Sequence, residues 1–344
     1  MTSRIRGTTA RPSSLPTGSA LSRRSAIWGG LAAPALLASA ARAQDGYPNR
    51  PIRMIVPFVP GGGADITARF IAEPLGAALG QPIVIENRGG AGGTIGTAAV
   101  ATSPADGYTL LYGTPGPLIT NRFLMPNLPY DSDRDFSPVS LLTRGAYLLA
   151  VHKDVPARNM AELIALARSR PGELTYASAG TGAGSHLAGE LLCMQAGVRM
   201  THVPYRGTSQ AVQDVAAGRV TMSIDTYAVM IPNLQAGNLR PIAVTSPQRY
   251  PELPDVPTIG ETIPGFEVGV VNYICVRSGT PRPMIERLNA ALVKVLGDPG
   301  LARRMKEAGS SPPLSSTPEG LGDILRSEVE KWGPVIRQAG LSAG

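Results

Sequence analysis

From Ile52 onward, short apolar runs rich in β-branched residues alternate with segments whose apolar positions recur at helical spacing. "IRMIVPF" (52–58) predicts a strand, "ADITARFIAEPLGAALG" (64–80) a helix closed by Gly80, and "PIVIENR" (82–88) a second strand. "TIGTAAVATS" (94–103) then reads as a helix and "YTLLYGT" (108–114) as a third strand. Near-continuous apolar strands separated by helices are the pattern of a mainly parallel sheet covered on both faces.

A second series starts at "NMAELIALARSRPG" (159–172), a helix with Asn159 as N-cap and Glu162 three residues on, as in a capping box. Strand "LTYAS", helix "HLAGELLCMQAG", strand "MTHVPY", helix "SQAVQDVAAG" and strands "TMSID" and "LRPIAVTS" follow. The tail is helical, and its last helix opens with Thr317 as cap and Pro318 at the first helical position. Two extended stretches, "SLLTRGAYLLAVH" (140–152) and "FEVGVVNYICV" (266–276), lie between the two series and read as crossings. The expected fold is therefore α/β with two lobes joined by two crossing strands. Residues 44–147 and 272–344 form lobe 1 and residues 148–271 form lobe 2. A single large doubly wound domain is the competing arrangement.

The first 43 residues follow a different rule. They carry six arginines and no acid, with an apolar run, "AIWGGLAAPALLASA", ending at Ala41–Arg42–Ala43. This is the layout of an export signal with a small-residue cleavage site, and the run is too short to span a bilayer. "SRRSAI" resembles a twin-arginine signal, and an ordinary Sec signal fits as well. The chain's formal charge of +7 falls to +1 once those six arginines are removed. The basic pI of about 9.6 is thus mostly a targeting feature, and it gives no support to nucleic-acid binding, which needs a basic patch on the folded domain. Cys193 and Cys275 both sit in apolar runs, where unpaired core thiols are common.

Candidate chemistry concentrates where strands turn into helices. "VPFVPGGGADITARF" places three successive glycines at the first such turn. Glycines recur in "ENRGGAGGTIG", "YGTPGPL", "SAGTGAGSHLAG" and "PYRGTSQAVQD", each following a strand. Ligands of open α/β sheets bind at this edge, and helix starts present unpaired N–H groups with partial positive charge. Bare glycines let a small anion reach them. At roughly 1.5–3 kcal/mol for each hydrogen bond to a charged group, four or five such bonds support a micromolar site after ordering costs. No dinucleotide or P-loop spacing occurs, so no cofactor is expected. The three histidines are scattered and form no metal-ligand spacing, and no nucleophile elbow is present. Asp225, at the end of "TMSID", stands at the sheet edge, where it could accept a ligand amine or hold a water.

These motifs, in order from "YPNRPIRMIVPFVPGGGADITAR" through "YASAGTGAGSHLAGELL", "THVPYRGTSQAVQDVAAGRV" and "SEVEKWGPVI", resemble the Bug-type extracytoplasmic solute receptors, the binding components of tripartite tricarboxylate transporters. The resemblance implies a Venus-flytrap receptor, not an enzyme, monomeric and periplasmic. Such a receptor holds a small carboxylate through main-chain amides and waters and delivers it to a membrane permease. By position it implies ligand contacts from Gly62, Gly63, Asp65 and Thr114 in the first lobe. In the second lobe it implies Ser178, Gly180, Thr181, Gly182, His186, Tyr205, Arg206, Gly207, Thr208 and Asp225. A sensory receptor presenting its ligand to a signalling partner, or an exported carboxylate-processing enzyme, are the alternatives. The chain departs from the family pattern at "VVNYICVRSGTP", which puts Asn272 and Tyr273 near the cleft.

Overall fold

The computed structural model describes residues 46–250, 253–338 and 340, with a compact unit from Tyr47 onward. The expected export signal lies outside the described residues. Two five-stranded sheets organise the unit. The first holds β1 (Ile52–Val56), β2 (Ile83–Asn87), β3 (Thr109–Gly113), β4 (Phe136–Ala146) and β10 (Gly269–Arg277), in the order β2-β1-β3-β10-β4. The second holds β5 (Leu148–His152), β6 (Thr175–Ser178), β7 (Thr201–Pro204), β8 (Met222–Asp225) and β9 (Leu239–Val244), in the order β7-β6-β8-β5-β9. Within each sheet the three strands of its own series run parallel, and a crossing strand, β10 or β5, enters antiparallel in fourth place. Each sheet with its helices is a lobe.

Helices α1 (Gly63–Leu79), α2 (Thr94–Ala101) and α3 (Asn121–Leu124) belong to the first series. The second has α4 (Met160–Ser169), α5 (Gly184–Ala196), α6 (Thr208–Ala216) and α7 (Tyr227–Gln235). The tail forms α8 (Arg282–Leu296), α9 (Pro299–Glu307) and α10 (Pro318–Gln338). Asn159 caps α4 by accepting from Glu162 N–H (2.9 Å), while Glu162 reaches back to Arg158 N–H (2.7 Å), one residue beyond a standard capping box. Helix α7 is absent from the sequence reading. Pro232 inside "YAVMIPNLQ" masks the helical pattern, although the turn it interrupts survives on tertiary packing.

The two crossings are fastened where they pass. Tyr147, the single residue between β4 and β5, exchanges main-chain and side-chain hydrogen bonds with Thr245, which also bonds Val268 at the approach to β10. Cys193 and Cys275 are both free. Helix α10 serves both lobes. Its Leu321 joins the cluster of Ile55, Leu111 and Tyr273 in the first, and Trp332 and Ile336 join that of Leu149, Tyr176 and Leu191 in the second. Trp332 is buried and its indole N–H donates to Glu328 (3.3 Å). Trp332→Ala is therefore expected to cost about 3–5 kcal/mol, read as a lowered urea midpoint. A loss below about 1 kcal/mol would show that the helix is not fastened there.

Candidate functional site

Four helices begin where the two sheet edges face each other, one of them α6, which follows β7 and starts with Thr208 behind Gly207. After β1 the chain turns through Gly61, at φ +77°, and α1 starts behind Gly62. After β6 it turns through Gly180 and Gly182, at φ +125° and +83°, and α5 starts behind Ala183. After β8, α7 starts behind Thr226. None of the four starts has a side-chain cap; outside the cleft α2 and α8 are uncapped too, while α4 and α9 are capped by Asn159 and Asp298. An uncapped start leaves its first N–H groups to be satisfied from outside the helix.

These starts line a cleft of about 50 Å³ between the lobes, enough for a few waters in that measure. Gly62, Gly63, Ala64 and Thr114 face it from the first lobe, and Gly184, Ser185, Thr208, Asp225 and Thr226 from the second. The crossings supply Tyr147, Val270 and Asn272, and Phe58 and Pro115 add apolar wall. The lining holds no lysine, arginine or histidine and one carboxylate. The lobes touch directly around the cleft. Gly63 N–H donates to Thr208 Oγ1 (3.3 Å), Ser209 Oγ to Pro60 O (3.4 Å) and Thr120 Oγ1 to Gly182 O (3.3 Å).

Of the residues expected at the site, Gly62, Gly63, Thr114, Thr208 and Asp225 line the cleft and the others do other work. The Asp65 carboxylate turns back to accept from Gly61 N–H (2.9 Å), Arg69 Nε (2.9 Å) and Asn87 Nδ2 (3.0 Å). Burial works to raise its pKa, but these donors hold it below the usual value. Ser178 Oγ lies 2.6 Å from His202 Nε2 and accepts from Gly180 N–H. His186 Nδ1 accepts from Gly182 N–H (3.2 Å), and its ring stacks on His202 at 4.1 Å. Burial pushes both imidazoles down to about 4, so they are neutral at physiological pH.

Gly180, Thr181 and Gly182 form the inter-lobe turn itself. A Cβ at Gly92 would meet Thr181 O at 2.1 Å, and one at Gly182 would meet Asn121 Oδ1 at 2.2 Å. Tyr205 donates to Asp214 (2.6 Å), Arg206 is exposed outside the cleft, and Gly207 packs under Val59. Asn272 reaches the cleft and Tyr273 does not. A bulge between them re-aims the strand, so Asn272 donates to Thr143 Oγ1 (2.9 Å) and Tyr273 to Thr114 O (2.9 Å). Ser185, one of the hydroxyls of the glycine turn "SAGTGAGSHLAG", lines the cleft, whereas Tyr147 and Thr226 were not expected there. Thr226 was findable in principle as the residue between a strand end and a helix start.

Two lining groups stand out electrostatically. Thr114 Oγ1 and Asp225 Oδ2 are buried, on opposite lobes, and have no hydrogen-bond partner among the described residues. Asp225 Oδ1 accepts from Thr226 N–H (2.7 Å). Burial, only partly offset by Thr226, pushes the Asp225 carboxyl up to about 7.

Two α/β lobes closing on a cleft of uncapped helix starts define a solute-binding receptor rather than an enzyme. The profile described as "Tripartite tricarboxylate transporter family receptor" matches residues 67–341, and the chain belongs to that family. It is 43% identical over 313 residues to the "UPF0065 protein in tcbD-tcbE intergenic region" of Pseudomonas sp. (strain P51), covering 90% of this chain and 93% of the relative. It is 36% identical to Protein BugT of Bordetella pertussis, covering 86% and 91%. Among solved structures it is similar to R. palustris Rpa4515 with adipate, with a TM-score of 0.83 at 38% identity, covering 86% and 99%. It is also similar to MatC from Rhodopseudomonas palustris with bound malate, with a TM-score of 0.80 at 35% identity, covering 84% and 100%.

Proposed function

We propose that the protein is a periplasmic receptor that captures a small organic carboxylate between its lobes and delivers it to a membrane permease of the tripartite tricarboxylate type. Main-chain N–H groups of α1, α5, α6 and α7 and the hydroxyls of Thr114, Thr208 and Thr226 hold the acid. The observation that carries this reading is the convergence of four uncapped helix starts on a cleft with no basic side chain. Aligned peptide dipoles favour an anion there without an arginine or lysine partner. Adipate and malate, bound in the two similar structures, indicate the class of acid.

Binding only the folded state must raise apparent stability, by about 2.7 kcal/mol at a ligand concentration a hundred times Kd. Thermal melts of the protein with adipate or malate are therefore expected to shift upward by several degrees, while the uncharged diamide analogues leave the midpoint in place. If no mono-, di- or tricarboxylate moves the melting temperature at millimolar concentration, the cleft is not a carboxylate site. For the transport half of the reading, deleting the receptor gene should abolish cellular uptake of the stabilising acid.

A further inference from the structure

Asp225 ends β8 inside the cleft with 2% of its surface exposed. One carboxylate oxygen is engaged by Thr226, and the other is buried at the cleft wall without a partner among the described residues. Among the described residues no cation compensates it. Of the titratable groups around it, Tyr147, between β4 and β5, couples to it and keeps its own proton, held by burial and then by Asp225. Asp65 on α1 turns away to Gly61, Arg69 and Asn87. His186 on α5 is neutral, bonded to Gly182 and outside the cleft lining. On α7, the neighbouring Thr226 offers only a hydroxyl and an N–H.

The positive potential here comes from four helix starts, those of α1, α5, α6 and α7, about half a unit charge each and so at most about +2 together. A dicarboxylate brings two negative charges, and an ionised Asp225 would add a third in a buried site. Worse, a ligand carboxylate oxygen facing Asp225 Oδ2 sets acceptor against acceptor. Two carboxylates in one such site share a proton.

We propose that Asp225 is protonated in the ligand-bound receptor and donates from Oδ2 to a carboxylate oxygen of the acid, so that capture takes up one proton. This rests on the carboxylate reading of the cleft. It makes Asp225 the residue that selects an ionised carboxylate at that end of the cleft over a hydroxyl or an ammonium. The proton is available near neutrality, since burial already raises the free carboxyl to about 7. The same displacement has a sign for the unliganded fold. A carboxyl whose folded pKa lies above its ordinary 3.8 contributes stability in full below that value and loses it as pH rises toward 7. Asp225→Asn removes that loss. The asparagine Oδ1 keeps the Thr226 bond, and its Nδ2 takes the place of Oδ2 as a permanent donor.

The test is calorimetric titration of the full protein with adipate and with malate at pH 6.0, 7.5 and 8.5, in buffers of low and high ionisation enthalpy. Wild type is expected to take up close to one proton at pH 8.5 and almost none at pH 6.0, with Kd rising by up to about tenfold per pH unit above 7. Asp225→Asn should take up none, show a flat Kd, and bind more tightly than wild type at pH 8.5. The wild-type proton count decides the matter even if the variant fails to fold. Binding without uptake at pH 8.5 overturns this inference and leaves the carboxylate reading standing. So does wild-type binding that weakens as pH falls and is lost in Asp225→Asn, since that marks an ionised acceptor. Failure of both acids to bind wild type overturns the carboxylate reading itself, and this inference with it.

Discussion

Gly63→Ala is expected to raise the Kd for the captured acid by about 30-fold without lowering the melting temperature of the unliganded protein. Gly63 opens α1 on the first lobe, and Thr226 is the N-cap residue of α7 on the second. A Cβ at position 63 would stand 2.2 Å from Thr226 Oγ1 and 3.1 Å from both its Cβ and Cγ2. Rotating Thr226 moves Oγ1 out of the way but leaves Cβ at 3.1 Å, so the two lobes must also give by a few tenths of an ångström. Overpacking of this kind costs about 2 kcal/mol, which is about a 30-fold change in affinity. The clash exists only when the lobes are together. Within α1 alone, alanine is favoured over glycine by roughly 0.5–1 kcal/mol, so the unfolding equilibrium moves the other way. Calorimetry and thermal melts on one sample separate the two effects. A Kd within threefold of wild type would mean that the lobes do not approach this closely when the acid is bound.

The second large effect falls on stability. Gly113 on β3 sits directly across from Tyr273 on β10, and the tyrosine ring lies over it. An added Cβ would be 1.9 Å from a ring carbon. Tyr273 is fully buried and its hydroxyl is tied to Thr114 O, so the ring has nowhere to go. Gly113→Ala should cost at least about 3 kcal/mol, the upper range for forcing extra volume into a packed core, and lower the melting temperature by about 6 °C or more. Adding Tyr273→Ala makes room again, so the double variant should lose less than the sum of the two single losses. Additive losses would place the strain of Gly113→Ala somewhere other than against the ring.

Most of the secondary structure was legible because its causes are local. Asn159 with Glu162, and Thr317 with Pro318, mark helix starts through bonds spanning three or four residues, and the structure shows those bonds at Glu162 and Gly320. Helix α7 was not legible, because Pro232 argues against it and only packing overrules the proline. At the site, the glycine turns were legible as anion-competent helix starts, but the work of individual side chains was not. Ser178 and His186 look available in "SAGTGAGSH". Their partners, His202 and the Gly182 N–H, close the cluster inside its own lobe.

The order of apolar strands and helical segments, with bare glycines at the turns between them, already determined α/β units with exposed helix starts, with two lobes and one doubly wound domain as the competing arrangements, since backbone preferences and side-chain periodicity act over a few residues. Which of those starts share one cleft was decided only by the closed tertiary arrangement. So were the contact of Gly63 with Thr226 and the isolation of Asp225 Oδ2 from any cation among the described residues. Approach distances and desolvation depend on what the opposite lobe brings, and the hydrogen bonds that join the lobes link residues 62 to 149 positions apart.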